Sequence, residues 1–114
     1  MNQTRKNNKE GNVASRLSGK VALVTGGSRG IGAGIVKRLT REKADVAFTF
    51  LNEQEAADSI VKEASADGNR VIAIQADSGN EHELVKAVEK VAKEFGHIDI
   101  LVSSAGAFLL KPVR

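Results

Sequence analysis

A chain of 114 residues with 41% hydrophobic and 27% charged residues has the size and make-up of one globular domain. It contains no cysteine and no tyrosine, and its only histidines are His82 and His97. That excludes disulfide scaffolds, cysteine-ligated metal centres, and any chemistry needing a tyrosine acid or a cysteine nucleophile from these residues. The formal charge of +3 gathers at the start, where Arg5, Lys6, Lys9, Arg16 and Lys20 face only Glu10, so the body is nearly neutral.

Residues 1–16 read as a disordered basic tail. They lack apolar periodicity, aromatic residues for stacking on bases and the apolar run of a secretory signal. Nucleic acid and membrane are therefore not expected as partners, and no stretch approaches the ~20 apolar residues of a membrane span. The lack of cysteine fits a cytoplasmic location. From Lys20 onward two periods alternate. Val21-Ala22-Leu23-Val24-Thr25 is an apolar run ending at Gly26-Gly27, the pattern of a strand buried on both faces. Ile31, Ile35, Val36 and Leu39 recur at helical spacing. Asp45 to Phe50 predicts a second strand. Ala56, Ile60, Val61 and Ala64 predict the inner face of a helix ending before Gly68. Arg70 to Ile74 predicts a third strand. Ser78 and Glu81 have the spacing of a capping box, opening a helix with Leu84, Val88, Val91 and Phe95 inward and Gly96 at its end. Ile98 to Val102 predicts a fourth strand, broken by Ser104-Ala105-Gly106. This β-α-β-α-β-α-β order predicts an α/β fold: a doubly wound parallel sheet of about four strands with helices on both faces.

The segment Thr25-Gly26-Gly27-Ser28-Arg29-Gly30-Ile31-Gly32 lies between the first strand and the first helix. A strand-to-helix turn aims free backbone N–H groups and the positive helix end at one point, where a phosphate can sit. Glycines let a ligand reach the backbone without a Cβ in the way. No Gly-Lys-Ser/Thr follows, so this is not a P-loop.

The spacing Gly-x-x-x-Gly-x-Gly differs from the usual dinucleotide fingerprint. With it the chain resembles the short-chain dehydrogenase/reductase family, and within that family the 3-oxoacyl-carrier-protein reductase-like members. Further along, Lys20 to Gly26 looks like the family's first strand. Gln75-Ala76-Asp77 is similar to the turn after its third strand. Phe95 to Val102 resembles its run into strand four, and Ala105-Gly106 the end of its Asn-Asn-Ala-Gly motif. The resemblance runs from about Leu17 to Pro112. It implies a Rossmann-type NAD(P)-binding domain over 17–114, shorter than the full family fold. It also implies cofactor contacts from Gly26, Ser28, Arg29, Gly30, Ile31, Gly32, Asn52, Asp77, Ser78, Ser104, Ala105 and Gly106, with Asp77 near the adenine.

The resemblance also frames the choice of cofactor. An acidic residue at the end of strand two favours NAD by binding the ribose hydroxyls. Phe50, Leu51 and Asn52 occupy that region and none is acidic, while Arg29 stands where similar reductases meet the 2′-phosphate. NADP is therefore expected ahead of NAD, with Glu53 counting against it. The family's helix asparagine, serine and Tyr-x-x-x-Lys pair are not matched here, so no catalytic residue is carried over. Ser103-Ser104 replaces the usual Asn-Asn, and Lys43 stands where the first helix usually ends in glycine. The expected function is the NADP(H)-binding portion of a reductase. A non-catalytic dinucleotide-binding module and an inactive fragment stand as rivals, with an S-adenosylmethionine methyltransferase a weaker third. An open outer edge on strand four, flanked by Phe108-Leu109-Leu110, points to self-association or a partner there.

Overall fold

The computed structural model describes residues 16–28 and 30–103, with only the backbone of Asp67 included. Strand β1 spans Val21–Thr25, helix α1 Gly30–Arg41, strand β2 Asp45–Phe50 and helix α2 Gln54–Ala64. After a 3-10 turn at Ser65–Asp67 come β3 at Val71–Gln75, α3 at Glu81–Phe95 and β4 at Ile100–Ser103. The strands form one parallel sheet in the order β3-β2-β1-β4. Strand order reverses direction at β1, because the chain moves outward through β2 and β3 and then crosses back to β4.

All five residues of β1 are buried, which is why no polar alternation appears in that strand. Its side chains divide between two cores. Ala22 and Val24 join Val46, Phe48, Val71 and Val102 under α1 and α2, with Val36, Ala57 and Ile60 supplied by those helices. Val21 and Leu23 join Ala47 on the opposite face, where Val91 and Phe95 of α3 pack. Two helices thus cover one face and one helix the other. Leu17 packs against the first core, and its N–H donates to the Glu42 carbonyl at 3.0 Å, so the ordered body includes Leu17.

Several boundaries differ from the sequence expectation. Ile31 is 72% exposed rather than packed inward, and the buried stripe of α1 is Gly32, Val36 and Thr40. In α2 the buried residue of the first turn is Ala57, not Ala56. Strand β3 lies one residue later than expected. Strand β4 starts at Ile100, two residues later than expected. Just before it, the Asp99 carboxylate turns back to accept the Val21 N–H at 2.8 Å and the His97 Nε2 at 2.8 Å.

The largest correction concerns the start of α3. Gly79 N–H donates to Asp77 Oδ1 at 2.9 Å, and Asn80 N–H donates to the Asp77 carbonyl at 2.9 Å. This turn carries the chain past Ser78 and leaves Asn80 extended, so Asn80 is the N-cap and accepts the Glu83 N–H. The Glu83 carboxylate reaches back to the Asp77 N–H at 2.7 Å. The N-cap thus lies two residues later than expected, and the Glu83 carboxylate is spent on Asp77 instead of closing a reciprocal box with Asn80.

Gly68 and Gly96 close their helices in the left-handed conformation, as expected. Lys43 takes the same conformation after α1, with φ 76°, a geometry that costs a non-glycine residue about 1–2 kcal/mol. Residues 1–15 of the basic tail, Arg29, and the Ser104–Gly106 and Phe108–Leu110 segments lie outside the described residues. Among the described strands, β4 forms one edge of the sheet. No described helix is long and apolar enough to cross a membrane.

Candidate functional site

The turn from β1 into α1 depends on two glycines for different reasons. Gly26 has φ 71°, a left-handed conformation that side chains disfavour. Gly32 packs the first turn of α1 directly onto the loop: a Cβ there would collide with the Gly26 carbonyl oxygen and lie 2.9 Å from Gly27 Cα. The helix can approach this closely only because nothing projects from position 32. The result is a helix N-terminus held against the end of the central strand.

Strand β2 fastens this turn from the side. Thr49 is completely buried, and its Oγ1 accepts the Gly26 N–H at 2.9 Å. Its carbonyl accepts the Gly27 N–H, also at 2.9 Å. One residue therefore takes up two successive donors of the glycine turn. The first turn of α1 adds N–H groups that have no partner within the helix.

A cavity of about 470 Å³ opens in front of this turn. It lies at the C-terminal ends of β1, β2 and β3, beside the strand where the order reverses, which is where open α/β sheets bind ligands. Its floor and near wall are Gly26, Ser28, Gly30, Ile31 and Gly32; Thr49, Phe50, Leu51 and Glu53 come from the end of β2 and the following loop. Ala76, Asp77 and Ser78 close it after β3. Two hydrogen bonds hold the β2 and β3 ends together: Ala76 N–H to the Phe50 carbonyl at 2.9 Å, and Gln75 Nε2 to the Leu51 carbonyl at 2.9 Å. Beside Gly30 no atom lies within 4 Å of where a Cβ would be, so the backbone there borders open space.

Most of the residues singled out from the sequence meet at this cavity. Gly26, Ser28, Gly30, Ile31, Gly32, Asp77 and Ser78 all line it. The exposure of Ile31 is explained by the same fact, since its side chain sits at the rim of the cavity instead of in the core. Asn52 is exposed and is not among the lining residues. Arg29, Ser104, Ala105 and Gly106 lie outside the described residues.

Sequence reasoning passed over Thr49, named Ala76 only as part of the turn after the third strand, and saw Glu53 only as an acidic residue beyond a strand. The signal for Thr49 was present: it is a lone hydroxyl in the buried part of a strand, and a buried hydroxyl needs a partner. The described lining contains two carboxylates, Glu53 and Asp77, and no lysine or arginine. Asp77 Oδ1 is engaged by the Gly79 N–H, whereas Glu53 Oε1 accepts the Ser28 hydroxyl at 3.3 Å. Glu53 occupies the N-cap position of α2 but makes no side-chain cap bond there.

Comparison with known proteins places this geometry among relatives. The family model described as short chain dehydrogenase matches residues 20–114. The chain is 43% identical over 98 residues to a hydroxynaphthalene reductase of Aspergillus fumigatus, covering 86% of this chain and 36% of that protein. A short-chain dehydrogenase from Burkholderia cenocepacia, solved in complex with NADP, superposes with a TM-score of 0.75 at 55% identity, over 76% of this chain and 36% of that one. A blue fluorescent protein from a metagenomic library, solved with NADPH, superposes with a TM-score of 0.75 at 48% identity, over 85% of this chain and 40% of that one. The chain thus spans well under half the length of these relatives.

Proposed function

The chain belongs to the short-chain dehydrogenase family, and on that premise we propose that it forms the NADP(H)-binding portion of an oxidoreductase acting on a carbonyl or alcohol substrate. The observation that carries this reading is the cavity built on the glycine turn. A helix N-terminus, pinned by Gly32 and by Thr49, opens onto a space of about 470 Å³ at the C-terminal ends of β1, β2 and β3. The two similar structures named with NADP and NADPH support the choice of cofactor.

The residues present fit such a cofactor. The first turn of α1, at Gly30, Ile31 and Gly32, supplies backbone donors and a positive helix end for the pyrophosphate. Phe50, at the end of β2, offers an apolar wall where an acidic residue would select NAD. Asp77 and Ser78 close the side assigned to the adenine, and Arg29 is assigned to the 2′-phosphate. When bound, NADP(H) supplies or accepts the hydride. These 114 residues contain no tyrosine, so the proton transfer that accompanies hydride transfer in a tyrosine-dependent reductase is not assigned to any residue here.

Titration calorimetry with NADP+ and NAD+ tests the reading. NADP+ should bind more tightly. A guanidinium engages phosphate through two parallel charge-assisted bonds. A hydrogen bond to a charged group contributes roughly 1.5–3 kcal/mol, about 10- to 150-fold in affinity. Arg29→Ala should weaken NADP+ toward the lower end of that range and leave NAD+ nearly unchanged, the gap narrowing at high salt. Phe50→Asp should shift preference toward NAD+. An equal loss for both cofactors in Arg29→Ala would show that the arginine supports the turn or the pyrophosphate, and the preference for NADP would lose its main residue.

A further inference from the structure

We propose that Glu83, in the first turn of α3, is a positioning residue of the cofactor site: it holds Asp77 in place and so sets the preference for an adenine base. The inference rests on the dinucleotide reading above and adds to it a residue that does not itself line the cavity.

Asp77 stands just past the sheet. Gln75 is the last β3 residue paired with β2, and the Ala76 N–H still finds a β2 acceptor in the Phe50 carbonyl. The Asp77 N–H donates instead to the Glu83 carboxylate at 2.7 Å, the short distance of a bond to a charged acceptor. Glu83 lies beside a separate cleft of about 350 Å³ between β3 and α3, with Ile74 and Ala87. Ala76 borders both this cleft and the cofactor cavity, so Glu83 grips the strand end from outside the cofactor cavity. Glu83 is fixed in turn: its N–H donates to Asn80 Oδ1, and the Asn80 N–H donates to the Asp77 carbonyl. These bonds close a ring over residues 77–83.

The ring decides how Asp77 meets a ligand. One carboxylate oxygen, Oδ1, is engaged by the Gly79 N–H, so Oδ2 is the acceptor offered to the cavity that Asp77 lines. The exocyclic amine of adenine is a hydrogen-bond donor. Hypoxanthine carries an oxygen at the same carbon, which would set acceptor against acceptor. A site built to bond a donor discriminates strongly against an analogue without it, provided that the acceptor is held in position. Among the described residues the Glu83 carboxylate is what holds the Asp77 N–H. Without it the backbone of Asp77 loses its anchor and the Asp77 carboxylate its aim.

The test is calorimetric titration of the full chain with NADP+ and with its hypoxanthine analogue, in which oxygen replaces the adenine amine. Glu83→Ala removes the acceptor. Glu83→Asp keeps the negative charge at the helix start but draws it back from the Asp77 N–H, so it serves where the alanine variant fails to fold. Glu83→Gln keeps an acceptor at the same reach. Wild type should prefer NADP+ to the analogue. The alanine and aspartate variants should bind NADP+ about 3- to 10-fold more weakly, the range of one ordinary hydrogen bond, and the analogue nearly as before. The glutamine variant should keep the wild-type preference. An equal loss of both ligands in the alanine and aspartate variants overturns the proposal, since Glu83 would then only stabilise the turn. Unchanged NADP+ affinity in those variants, or loss of the preference in the glutamine variant, overturns it as well. Wild type that binds both ligands equally well also overturns it and leaves the dinucleotide reading intact. If wild type binds neither ligand, the dinucleotide reading falls and the proposal with it.

Discussion

Thr49 shows how much of the glycine turn beside the cavity is organised by a single buried residue of the neighbouring strand. Its hydroxyl and its carbonyl hold the N–H groups of Gly26 and Gly27, and it is fully buried while doing so. Thr49→Val keeps the shape and removes the hydroxyl, leaving a partly buried N–H without this acceptor. That should cost about 1–3 kcal/mol in stability and weaken both dinucleotides together, because the whole turn relaxes. Thr49→Ser restores the acceptor and should recover most of the binding. Urea denaturation and paired titrations of the two variants check this; a valine variant as tight-binding as the serine variant would remove Thr49 from the site. The sequence shows that a buried hydroxyl at Thr49 needs a partner but not which one, since the bond joins residues 23 apart and nothing in the local pattern of β2 reports which loop its inward side chains reach. The glycine turn, by contrast, was legible because its constraint is local: the strand, the turn and the helix that define it are consecutive.

At the scale of elements, interiors were easier to read than ends. The buried run of β1 and the αL glycines 68 and 96 each follow from a few neighbouring residues. The start of α3 does not. Ser78 and Glu81 have the right spacing for a cap, but so do Asn80 and Glu83, and the choice is made by the turn anchored on Asp77. The structure therefore predicts unequal costs for two similar substitutions. Asn80→Ala should destabilise the chain by about 0.5–2 kcal/mol, as expected for a lost N-cap. Ser78→Ala should stay within about 0.5 kcal/mol of wild type. Thermal melts of the two variants decide between the caps, and a reversed order would restore the Ser78 cap. The shift from Ala56 to Ala57 in α2 has a similar origin. Both are small and apolar, so composition cannot say which faces inward, and packing against β3 and α1 settles it.

For the whole molecule, the order β3-β2-β1-β4 puts the first strand of the chain in the interior of the sheet. Its partner on one side, β2, is synthesised soon after it. Its partner on the other side arrives much later: the Val21 N–H is held by Asp99, 78 residues further along. At ~5–20 residues per second, that separation corresponds to roughly 4–16 s of synthesis. During that interval an apolar strand with an unpaired edge is exposed to neighbouring nascent chains, the kind of surface that invites misassembly or a holding chaperone. Ribosome-arrested chains of increasing length should stay protease-sensitive through the emergence of β3 and become resistant only once β4 has left the ribosome. Resistance at the β3 stage would mean that β1 and β2 with their helices already form a stable unit. A strand that reads so plainly in the sequence because it is buried on both sides is, for the same reason, the last to be completed as the protein is made.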